Sequence, residues 1–113
     1  MTDGDAAGSD LTLRDVLTAA AEELPDLRRV DMAQTATWAV GPTIFATLDQ
    51  ARAEFRLDPM VAGAALRTPD TEPSTHGPDW VAFAPPTLDD EAVDRAEAWF
   101  LSAYRRAAGG SRA

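Results

Sequence analysis

Residues 35–66, TATWAVGPTIFATLDQARAEFRLDPMVAGAAL, constrain the fold most, because they read as a hairpin, a third strand and a sharply started helix. Segments 37–40 and 43–48 form the hairpin arms around Gly41 and Pro42. Glycine supplies unusual backbone angles there, and a proline, which has no N–H to donate to a ladder, belongs in the turn. A two-residue loop sets Trp38 opposite Phe45, whereas a three-residue loop sets it opposite Ala46. One residue of slip exchanges the two faces, so the register stays open between these alternatives. Ala53, Phe55 and Leu57 alternate with Glu54 and Arg56, the pattern of a strand in a sheet with one wet face. Asp58 and Pro59 then supply an N-cap acceptor and the residue best tolerated in a first helical turn.

The flanking segments complete a simple order of elements. Thr12 and Asp15 match a capping box, and Leu13, Val16, Leu17, Ala20 and Leu24 share one helical face until Pro25 stops the helix. The stretch DLRRVDMAQ reads as a connection to Thr35, extended in part, with Arg28 and Arg29 solvated. After the central helix, a weak polar strand is expected around residues 71–75, a turn at Gly77, Pro78 and Asp79, and a better strand over residues 80–83. Thr87 and Asp90 suggest a second capping box for the last helix, with acids in its first turn and Arg105 and Arg106 near its end. Val93, Ala96, Phe100, Ala103, Tyr104 and Ala107 trace its core stripe, with Trp99 and Leu101 flanking it, partly exposed. Helix, three strands, helix, two strands, helix makes an α+β, two-layer domain: a single antiparallel sheet with helices on one face. Residues 1–10 read as a disordered leader, 11–108 as the domain and 109–113 as a disordered tail.

Composition removes several kinds of chemistry. There is no cysteine, which excludes disulfides, thiolate metal sites and a cysteine nucleophile. The start of the chain is acidic and carries no apolar run, so a secretory signal is not expected; no stretch approaches the length of a membrane span, and without cysteine the cytoplasm is the natural location. Asp and Glu number 19 against 10 basic residues, all of them arginine, for a formal net charge of −9. Such a balance favours solubility and works against polyanion binding, which depends on phosphate neutralisation. His76 is the only histidine. Ser74, Asp70, Glu72 and Asp79 lie near it in sequence, but a Ser-His-acid site needs mutual geometry that spacing does not specify, so an exposed turn histidine is the simpler reading. No metal-ligand spacing and no Gly-rich phosphate loop is present, so no cofactor is expected.

The binding candidates are cationic and aromatic. Arg56 on the wet face of the third strand, Arg52 just before it and Arg67 after the central helix are candidates for an anion site, with pairing to Glu54 and neighbouring acids as the plainer alternative. Trp38 and Trp80, one near each Gly-Pro turn, are candidates for stacking a base or a peptide side chain, or else they close the end of a core.

Four segments carry a resemblance beyond this reading: WAVGPTIFATL over residues 38–48, EFRLDP over 54–59, GPDWV over 77–81, and a closing helix ending in AYRR over 103–106. Together with Leu24-Pro25 at the end of the first helix, they resemble the MmcQ/YjbR family over nearly the whole domain. The resemblance implies a small α/β fold of the type also seen in secretion chaperones, and DNA binding through two hairpin wings, here the Gly41-Pro42 and Gly77-Pro78 turns. Two functions are therefore expected for a non-enzymatic domain. One is nucleic-acid binding, as the resemblance implies. The alternative is a protein-interaction or chaperone-like module that receives a partner on the open sheet face, as a monomer or homodimer.

Overall fold

The computed structural model describes residues 11–110 as three helices on one six-stranded antiparallel sheet. Helix α1 is Leu13–Ala21, strands β1 to β4 are Leu27–Met32, Thr35–Val40, Thr43–Asp49 and Arg52–Arg56, and helix α2 is Pro59–Ala65. Strands β5 (Thr71–Pro73) and β6 (Trp80–Phe83) follow, then helix α3 (Asp90–Gly110). The expected leader and the end of the expected tail lie outside the described residues, while Gly109 and Gly110 continue α3. Among the described residues no helix is long and apolar enough to cross a membrane.

The two-layer α+β architecture is the one the periodicity specifies, with one more strand. Residues 27–32, within the stretch expected as a partly extended connection, form β1 at a sheet edge. The spatial order β1-β2-β3-β4-β6-β5 places β6 inside β5, so the last two strands reach the sheet with their chain order reversed. Thr12 and Asp15 form the expected capping box, and Asp58 caps α2 by accepting from the Met60 N–H. The cap of α3 differs: the Asp89 carboxylate accepts from the Ala92 N–H at 2.8 Å, in place of the expected Thr87 cap. Because α3 runs on to Gly110, Arg106 is not in its last turn. It reaches instead to the Leu57 carbonyl at 2.8 Å and to Asp79 at 3.0 Å, tying α3 to both ends of the β4-to-β6 crossover.

A β-bulge decides the hairpin register. The loop has two residues, Gly41 and Pro42, with Val40 opposite Thr43, yet Trp38 stands opposite Ala46. The register shifts between Trp38 and Ala39, where Phe45 is the extra residue. Phe45 and Ala46 are consequently both buried. They join Trp38, Leu48, Phe55, Val81 and Phe83 of the sheet and Leu17, Ala96, Phe100 and Ala103 of the helices in one core. Trp99, expected at the border of the helix stripe, is buried there, edge-on to Phe83 at 5.0 Å.

Each of the three hairpin loops joining β1 to β4 begins with a residue at positive φ: Ala33 at 55°, Gly41 at 56° and Gln50 at 59°. Only Gly41 adopts this conformation without a Cβ penalty. Ala33 is exposed, so Ala33→Gly is expected to stabilise the domain by about 1 kcal/mol, read as a higher urea midpoint at unchanged slope.

Candidate functional site on the open sheet face

With the helices on one side, the other face of the sheet is left uncovered by the described residues and carries the polar members of each strand. Register places Thr35 and Thr37 of β2, Ile44, Thr47 and Asp49 of β3, and Arg52, Glu54 and Arg56 of β4 on that face. Trp80 and Ala82 of β6 and Glu72 of β5 continue it. A concavity of about 580 Å³ lies here, lined by Thr35, Thr37, Ile44, Thr47, Asp49, Glu54, Thr75, His76 and Trp80.

Glu54 organises this surface. Its Oε1 accepts the Ser74 hydroxyl at 2.5 Å and faces His76 Nε2 at 2.9 Å, and its Oε2 accepts Arg52 Nε at 3.0 Å. Arg52 extends further to Glu72 at 2.5 Å, so one guanidinium bridges β4 to β5 across β6. Ala82 lies between Glu54 and Glu72 in register and is itself buried, so its small side chain leaves room for the bridge. Burial alone pushes the Glu54 carboxyl up, but the bonds from Ser74 and Arg52, with the charges of His76 and Arg52, hold it below the usual carboxylate range. The bonds to Glu72 and Glu54 raise the Arg52 guanidinium above its ordinary value, in spite of its desolvation.

The β5–β6 connection is shaped around this hub. Ser74 Oγ accepts the His76 backbone N–H at 3.0 Å while donating to Glu54. The His76 ring packs on Trp80 with centroids 4.9 Å apart. A Cβ at Gly77 would lie 3.3 Å from Trp80 Cδ1, so glycine lets the turn close over the indole. Ser74, His76 and a carboxylate thus do meet, but serine and histidine share the same Glu54 oxygen. Nucleophilic catalysis needs the serine bonded to its base, and a carboxylate held acidic is a weak proton acceptor. The arrangement is a charge-assisted brace that fixes the concavity wall.

The predicted site residues separate. Arg52 takes the paired alternative, locked between Glu54 and Glu72. Arg56 is exposed, opposite Trp80 in register, and has no ion pair among the described residues. Arg67 stands exposed in the turn after α2, off the strand β4 that carries the other two. Arg28, on β1, is committed to the Gly41 carbonyl at 2.6 Å. Among the described residues no arginine lines the concavity, so the predicted cations do not converge on an anion site. Trp38 takes the core alternative and is not a ligand contact: it has no exposed surface and sits against Phe100 at 5.3 Å. Trp80 alone of the five lines the concavity. Glu54, Asp49 and the threonine floor were not predicted, since sequence alternation marks them only as wet-face residues. Among the described residues no group of three or more His, Asp or Glu side chains could hold a metal ion.

Fold and site together define an α+β domain with a half-covered antiparallel sheet and a braced polar concavity on its bare face. No family model, curated protein or solved structure matches the chain.

Proposed function

We propose that this domain is a non-catalytic recognition module that holds a basic segment of a protein partner against the open face of its sheet. The observation that carries this reading is the chemistry of the concavity. Its lining offers the Asp49 carboxylate beside the braced Glu54, the packed rings of His76 and Trp80 and a floor of threonine hydroxyls, with no arginine among the described lining residues. An ammonium or guanidinium group gains from a carboxylate and from an aromatic face alike. A phosphate gains from neither, and a formal net charge of −9 sets the long-range field against it as well. The nucleic-acid role implied by the MmcQ/YjbR resemblance is therefore the weaker reading for this surface.

Titration with Lys- and Arg-rich peptides, followed by tryptophan fluorescence and calorimetry at low salt, tests the proposal. Binding is expected to weaken with added salt, and Asp49→Asn and Trp80→Ala are each expected to cost about tenfold in affinity, or about 1.4 kcal/mol. Binding of single- or double-stranded DNA with no response to the peptides would replace this reading with the nucleic-acid one.

A further inference from the structure

The two edges of the sheet are unlike. Strand β5 is three residues long and ends in Pro73, which blunts it against further pairing. Strand β1 has six residues, LRRVDM, contains no proline and is exposed along almost its whole length. Among the described residues its only strand partner is β2, so one row of its N–H and C=O groups faces outward from the described sheet. Val30 and Met32 on the open-face side of this edge are 47% and 73% exposed. Such an edge is a template for another strand.

We infer that the occupant is a second copy of this chain, its β1 pairing antiparallel with the first about a two-fold axis through Val30. In an antiparallel pair, residues directly opposite share a face, which restricts a symmetric β1–β1 contact to registers centred on one residue. Centring on Val30 sets Val30 against the partner's Val30 and Arg28 against the partner's Met32. It also sets Arg29 against the partner's Asp31, twice by symmetry. Arg29 and Asp31 already pair within one strand at 2.8 Å and lie at the edge on the helix-side face, so the two copies would merge two ion pairs into a four-membered network. The neighbouring symmetric registers are disfavoured by the same residues: centring on Arg29 opposes two arginines, and centring on Asp31 opposes two aspartates. The run Arg29-Val30-Asp31 is thus self-complementary in one register only. The assembly would be a continuous twelve-stranded sheet, and because β1 does not line the concavity, this inference stands or falls apart from the proposed function.

Sedimentation of the full chain over a concentration series is expected to show a species of twice the chain mass. Val30→Lys, which brings two cations together on the axis, is expected to return it to the monomer. Arg29→Asp and Asp31→Arg are each expected to be monomeric alone, and mixing them is expected to restore a dimer, since every cross-strand pair is again opposite in charge. Circular dichroism of each variant confirms folding. Arg29 also donates to Thr18, so if Arg29→Asp unfolds, the doubly exchanged Arg29→Asp/Asp31→Arg chain and Asp31→Arg alone carry the test. A wild-type chain that stays monomeric to millimolar concentration overturns the inference. So does a dimer indifferent to Val30→Lys and Asp31→Arg.

Discussion

Trp38→Ala is expected to destabilise the domain by about 3–5 kcal/mol, the range for removing a large aromatic side chain from a packed core. Trp38 has no exposed surface, meets Phe100 edge-on at 5.3 Å and lies beneath Arg29, whose guanidinium carbon is 5.4 Å from the ring centre. Domains of this size are stable by only about 5–15 kcal/mol, so the loss leaves the variant close to unfolding at room temperature. Trp38→Phe provides the informative contrast. The indole Nε1 of Trp38 is buried with no hydrogen-bond partner among the described residues, and a buried donor left unpaired costs about 1–3 kcal/mol. Phenylalanine removes that donor while keeping an aromatic ring against Phe100, so it is expected to cost less than half as much as alanine. Urea titrations with a common slope measure both. If Trp38 were instead a ligand contact, alanine would leave the urea midpoint near wild type and abolish only binding.

The fate of Trp38 shows which parts of the molecule can be read from the chain. The wet-and-dry alternation of Ala53 to Leu57, the cap at Asp58 and the capping box at Thr12 and Asp15 are local patterns, and each appears where the residues dictate. The hairpin register is open in the sequence because loop length alone decides whether Trp38 faces Phe45 or Ala46, and the apolar run Ile44, Phe45 and Ala46 fits either alignment. The bulge answers this by burying both Phe45 and Ala46 and leaving Ile44 exposed. Strand β1 is legible in the sequence only as a partly extended connection, for a related reason. An edge strand with both faces wet has no apolar period to display, and Leu27, Val30 and Met32 do not keep one phase. The site needed still more than local pattern. Glu54 lies 20 residues from Ser74 and 22 from His76, and only the exchange of β5 and β6 in the sheet brings them together. The pairing of Arg52 with Glu54, two residues apart on one strand face, was the one part of the network that alternation could suggest.

Glu54 is where the network has its largest expected consequence. Glu54→Ala removes the common acceptor of Ser74, Arg52 and His76 in a side chain only 12% exposed, and is expected to cost about 2–3 kcal/mol. Glu54→Gln keeps the shape and removes the charge, and its pH dependence distinguishes an electrostatic hub from a mere packing unit. Because the folded state holds the Glu54 carboxyl below its unfolded value of about 4.3, the unfolded state binds this proton more readily. The resulting stabilisation is fully present above that value and is lost as pH falls through the lower, folded one. Wild type and Glu54→Gln are therefore expected to differ most near pH 7 and to converge as the medium is acidified below about pH 4, with the variant showing the shallower decline. The other carboxylates titrate in both proteins, so the difference between the two curves reports the Glu54 charge together with the contacts made to it. Thermal or urea unfolding across that range makes the measurement, and a difference that stays constant with pH would show that Ser74, Arg52 and His76 gain nothing from the charge they surround.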